Sequence, residues 1–153
     1  MEAACESATD IRFQGANGIT IDQDRNTVFV NDPLHKTITV MKRDKKTGKL
    51  AKLSEIVMPF GADNIEYDDE SNEIIIGTIP DFIACIKKGQ GEDVSVPGGM
   101  AVARKESGVT GWVVDSVLEH NGAKLPQISA AARLGSKIVL GSPFSEGILV
   151  CNL

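Results

Sequence analysis

Three side chains are spaced for oxygen-ligand chemistry. Asn17 heads the run Asn17-Gly18-Ile19-Thr20-Ile21-Asp22, and Asp63 and Asn64 head the run Asp63-Asn64-Ile65-Glu66-Tyr67-Asp68. Asn17 and Asp63 are 46 residues apart, and Asn26 and Asn72, in the turns that follow, keep the same offset. Carboxylate and amide oxygens are the donors that hard cations such as calcium take, roughly six to eight at a time. Two accounts of the trio stand side by side: a metal site fed from successive repeats, or Asx turns capping the backbone ahead of each strand. Three ligand residues fall short of a calcium shell.

The remaining reactive side chains are sparse. His35 and His120 are the two histidines; His35 is read at the start of a strand and His120 as an exposed residue beside a hairpin turn. No serine or cysteine nucleophile motif accompanies His35. Thr78-Ile79-Pro80-Asp81-Phe82 and Ser142-Pro143-Phe144 follow equivalent strands, each with a proline and an aromatic. Leu34, Phe82 and Phe144 are therefore candidates for an apolar substrate pocket, with packing between neighbouring units an equally good account of the aromatics. Cys5, Cys85 and Cys151 are too few and too scattered for a disulfide framework or a zinc site. Cys85 lies among Phe82-Ile83-Ala84-Cys85-Ile86 and reads as a buried structural thiol.

The elements that must position these residues read as strands. Thr27-Val28-Phe29-Val30-Asn31 and Glu73-Ile74-Ile75-Ile76-Gly77 are matching second strands, and Lys137-Ile138-Val139-Leu140-Gly141 echoes the latter at an offset of 64. A repeat of this length built of short apolar strands predicts propeller blades. The fold expected is all-β, one domain over residues 1–153, with about three four-stranded antiparallel blades near 12–57, 63–105 and 110–153. Within the second unit, residues 82–87 are expected as a strand, with a weaker one at 100–104. The third unit is expected to open with a strand at 111–119, followed by a hairpin at Asn121-Gly122.

Composition narrows the partners. A net charge of −5 argues against nucleic acid, which needs a basic stripe. The one basic cluster, Lys42-Arg43-Asp44-Lys45-Lys46, runs into Thr47-Gly48 and reads as a solvated turn. No apolar run approaches the ~20 residues of a bilayer span. Met1-Glu2-Ala3-Ala4-Cys5-Glu6 lacks the features of a signal peptide, so a soluble chain is expected, its compartment undetermined.

At Gly15-Ala16-Asn17-Gly18-Ile19 the chain resembles the calcium-dependent six-bladed propellers that include the paraoxonases, or serum arylesterases and lactonases. The likeness continues through Leu34-His35-Lys36-Thr37-Ile38-Thr39-Val40, Asp63-Asn64-Ile65, Lys137-Ile138-Val139-Leu140-Gly141-Ser142 and the ending Leu149-Val150-Cys151-Asn152-Leu153. The resemblance implies that Asn17, Asp63 and Asn64 hold a calcium ion that polarises the carbonyl of an aryl ester or lactone. In the family a C-terminal cysteine, matched here by Cys151, pairs with one near the N-terminus, and Cys5 and Cys151 are the candidates to replace that disulfide, within or between chains. The resemblance covers the C-terminal half of the family only. The other calcium ligands and a water-activating histidine pair belong to the other half, and His35 inherits no catalytic role.

Half a propeller leaves blade faces uncovered, so three outcomes are open: a fragment of a longer protein, complementation by a separate N-terminal half, or a homodimer that closes the ring, the last being the expectation for an isolated folded chain. Two functions remain: a calcium-dependent arylesterase or lactonase, and a non-catalytic half-propeller that binds or scaffolds.

Overall fold

Runs of β-branched and apolar residues, broken by Asp, Asn, Gly and Pro, build this chain almost entirely from antiparallel strands. A computed structural model describes residues 5–108 and 111–152. The first sheet contains β1 (Ile19–Ile21), β2 (Thr27–Asp32), β3 (Thr37–Arg43) and β4 (Leu50–Val57), hydrogen-bonded in chain order. The second contains β5 (Gly61–Asp68), β6 (Glu73–Ile79), β7 (Gly98–Arg104) and β8 (Val113–His120), again in chain order. The third contains β9 (Ala130–Leu134), β10 (Lys137–Gly141) and β11 (Leu149–Asn152).

The repeat survives at the level of register. Ile21 faces Val28 across β1 and β2, and Tyr67 faces Ile74 across β5 and β6, each partner displaced by the 46-residue offset that separates Asn17 from Asp63. The innermost strands stand side by side, with β5 touching β1 on one flank and β9 on the other. This is the arrangement of propeller blades, and the sheets do not close into a ring.

The period-two geometry of a strand explains how the middle sheet serves two cores. Ile74 and Ile76 of β6 and Ala101 and Ala103 of β7 pack against Phe29, Ile38, Val40 and Ile56 of the first sheet. Their alternates Ile75, Met100 and Val102 pack against Ile128, Ala131, Ile138 and Leu140 on the side of the third. Full burial of each Ile, Val, Leu, Met or Phe side chain among them contributes about 1.5–3 kcal/mol. Both faces of β6 are covered, which is why its sequence is a continuous apolar run rather than an alternation.

Three expectations are corrected. Residues 82–87 lie not in a strand but in helix α1 (Phe82–Gly89), because the Asp81 side chain accepts a hydrogen bond from the Ala84 N–H and caps a helical turn. The strand read at 111–119 belongs to the second sheet, where β8 pairs with β7, and not to the third unit. Asn121-Gly122 joins no hairpin. It carries the chain from the second sheet to the third, with Gly122 at φ +88° pressed against the Val96 backbone. The third sheet thus has three strands among the described residues. Among the same residues no helix is long and apolar enough to cross a membrane.

Candidate functional site

The sequence trio is brought to one end of the inner strands. Asn17 precedes β1, and its Nδ2 donates to Asp63 Oδ1 at 2.8 Å. A register shift between Ala62 and Ile65 puts a bulge at Asp63 and Asn64. Bulges re-aim side chains and recur beside active sites. Asp63 is buried, whereas Asn17 and Asn64 are exposed. Asn64 donates its side-chain amide to the Ser129 carbonyl at 3.1 Å, and its backbone N–H reaches the same oxygen at 2.9 Å. The three sheets therefore meet around Asp63.

Two further amides meet Asp63, Gln127 at the carboxylate and Asn31 at the backbone carbonyl, and neither was singled out from sequence. Asn31, at the end of β2, is fully buried and donates Nδ2 to the backbone carbonyls of Ala62 and Asp63. Its Oδ1 is buried with no hydrogen-bond partner, a state that a native structure rarely tolerates. Gln127, buried ahead of β9, donates Nε2 to Asp63 Oδ2 at 2.7 Å, and its Oε1 accepts from the Cys85 thiol at 2.8 Å. The repeat signals Asn31 only as an amide ending a buried strand, and Gln127 lies where the third copy of the repeat has decayed.

Burial holds the Asp63 carboxyl above the usual carboxylate range, against the opposing pull of the hydrogen bonds from Gln127 and Asn17. Its neighbours are neutral amides rather than a basic side chain. A divalent cation would supply the charge these amides lack. The residues fit one: a buried carboxylate, the amides of Asn17 and Asn64, and the partnerless Asn31 Oδ1 are all hard oxygen donors. A flip of the Asn17 amide would present its oxygen to a metal in place of its nitrogen. Among the described residues no cluster of three or more His, Cys, Asp or Glu could hold a metal, so any ligand set here is dominated by amides.

The proposed pocket residues are partly united. Leu34 and Phe82 line one cavity of ≈ 390 Å³, with Pro33, Gly61, Ile79 and Ile83, between the β2–β3 turn and the start of α1. It opens at the same end as Asp63, since Gly61 begins β5. Phe144 is half-buried and does not line it. A second cavity, of ≈ 370 Å³, lies at the opposite end of the same two sheets, beside Phe29, Tyr67 and Trp112. Its carboxylates are engaged, Asp22 by the Asn26 and Thr27 N–H groups and Glu73 by Arg133.

The histidines have different partners. His35 lies in the β2–β3 turn rather than in a strand, with Nδ1 2.9 Å from Asp32 Oδ2. Burial alone would raise the Asp32 pKa, but hydrogen bonds from the His35 ring and from the Gln14 and His35 N–H groups hold it below the ordinary value. His120 ends β8 and is half-buried rather than exposed, because the chain leaving β8 folds back over it and the Gly122 N–H donates to its Nδ1. Cys5 and Cys151 are free thiols, not joined to each other, with Cys5 exposed and Cys151 half-buried. Cys85 is free and half-buried, and burial, followed by the Asp63 charge, pushes its thiol pKa up.

Sheets stacked as blades, with a carboxylate and amides gathered where the inner strands begin, define a propeller-type protein with a candidate cation site at one end. The arylesterase family profile matches residues 7–153, and the chain belongs to the arylesterase family. It is 30% identical over 142 residues to human (Homo sapiens) serum paraoxonase/lactonase 3. It is 28% identical over 142 residues to the rabbit (Oryctolagus cuniculus) protein of that name, and 26% identical over 145 residues to serum paraoxonase/arylesterase 2 of Bos taurus. Each match takes in 92% of this chain and 38% of the relative, so the chain spans well under half the length of these proteins.

Proposed function

We propose that this chain carries one share of the calcium and substrate site of an arylesterase or lactonase. The observation that carries the reading is Asp63, a buried carboxylate at the meeting point of three sheets with only amides as side-chain partners. Asp63 supplies the charge, and Asn17, Asn64 and Asn31 supply neutral oxygens. Calcium held there would polarise an ester or lactone carbonyl and stabilise the oxyanion that forms. The chain's own residues bind and orient the substrate: Leu34 and Phe82 offer an apolar wall to its aryl or acyl part, at the same end as Asp63. Further ligands come from whatever closes the ring, a second copy or the remaining blades of the family fold.

The test is aryl-ester hydrolysis with and without a calcium chelator, in the wild-type chain and in Asp63→Ala. Calcium-dependent turnover that Asp63→Ala abolishes supports the enzyme. Background rates in a preparation that binds calcium and sediments as a closed assembly, unchanged by Asp63→Ala, overturn it. They would favour the second reading, a non-catalytic half-propeller, which rests on the partners of the histidines: His35 pairs with Asp32 and His120 with the Gly122 N–H, and neither hydrogen-bonds the other.

A further inference from the structure

The loop before β9 holds the one contact to Asp63 that needs an unusual backbone. Gln127 has φ +44°, in the left-handed region that side chains other than glycine rarely adopt. It nonetheless keeps a long polar side chain, and that side chain is buried. Nothing in the path of the loop demands glutamine: the backbone N–H of Gln127 donates to the Val96 carbonyl at 3.0 Å, a bond any residue but proline could make. A strained position occupied by a buried amide points to what the amide does.

Both ends of that amide are engaged. Nε2 donates to Asp63 Oδ2 at 2.7 Å, and Oε1 accepts from Cys85 Sγ–H on α1 at 2.8 Å. The carboxylate, which only accepts, draws the Nε2 end of the amide to itself, and the Cys85 thiol braces the Oε1 end in that orientation. The other carboxylate oxygen, Oδ1, is held by Asn17 from the first sheet. Asp63 is thus held from both sides, by contacts that run from the β1 entry through β5 to the β9 entry and α1, and Gln127 is the hold that persists when the Asn17 amide turns its oxygen to a cation.

We propose that Gln127 is a positioning residue for the cation site: it fixes the rotamer of the Asp63 carboxylate, and Cys85 orients Gln127 to do so. Groups that orient a ligating carboxylate change metal affinity without touching the metal, typically by 10–100-fold on mutation. The inference rests on the calcium reading of the site above.

Titration calorimetry of calcium chloride into the chelator-stripped chain, alongside thermal unfolding, tests it. In Gln127→Gly the backbone strain is relieved while the grip is lost. The expected result is a retained or raised unfolding midpoint with calcium affinity weakened at least about 10-fold. Unchanged affinity in a folded Gln127→Gly chain overturns the inference alone, whereas a wild-type chain that binds no calcium overturns the calcium reading and the inference with it. Should Gln127→Gly fail to fold, the cysteine variants decide. Cys85→Ser keeps a donor to Oε1 and is expected to hold wild-type affinity, while Cys85→Ala is expected to lose part of that factor. Equal calcium affinities in the two variants overturn the proposal.

Discussion

Asp63 ties chemistry to stability at the scale of one residue. Its carboxyl is held above the ordinary range chiefly by burial, so the folded state binds the proton more tightly than the unfolded chain does. By linkage, the stability associated with this group is fully present below the unfolded pKa, near 4, and is lost as pH rises through the higher folded value. Asp63→Asn removes that loss and leaves every other titrating group in place. In chelator, therefore, urea midpoints should favour Asp63→Asn over wild type more at pH 7 than at pH 4. An equal difference at both pH values would mean that Asn17 and Gln127 already neutralise the effect of burial. Asn17 and Asp63 could be paired from the sequence because the repeat places them at matching points. Gln127 and Asn31 could not, since their role depends on loop geometry and on burial at a strand end, neither of which leaves a spacing.

At the scale of elements, the packing of neighbouring blades depends on close backbone approach. A methyl group on Gly77 of β6 would stand 2.5 Å from the Ser129 carbonyl oxygen, the atom that accepts both hydrogen bonds from Asn64. Gly77→Ala is therefore expected to cost about 1–3 kcal/mol in urea unfolding and to weaken calcium binding by moving Asn64. Gly141→Ala, where a methyl group meets nothing within 4 Å, is the control and should stay within about 0.5 kcal/mol of wild type. A clash relieved without loss of stability would show that the two sheets slide more freely than their contacts suggest. The strands themselves were legible because Thr27–Asp32 and Glu73–Ile79 repeat both composition and register. Helix α1 was not, because Phe82-Ile83-Ala84-Cys85-Ile86 satisfies either a strand or one helical turn after another. The discriminating residue was Asp81, whose side chain caps the helix and which reads from sequence as part of a proline-containing loop.

For the whole molecule, the governing fact is that three sheets stack without closing. β1 presents Ile19, 65% exposed, and the third sheet presents Leu134 and Val150, 69% and 56% exposed. A complete ring would cover both flanks, and the relatives are long enough to supply further blades, since this chain spans 38% of their length. If a second copy closes the ring instead, two sets of Asn17, Asp63 and Asn64 share one central channel, and calcium binding and association become linked. Sedimentation at micromolar concentration should then show a dimer strengthened by calcium and disrupted by Leu134→Lys, a change at an exposed position that has little effect on the fold of one chain. A monomer indifferent to both would exclude closure by a second copy and assign it to other blades. The same measurement bears on catalysis. Hydrolysis that appears only when association does would place the complete site at the junction of two partial ones, with Asp63 contributing from each side.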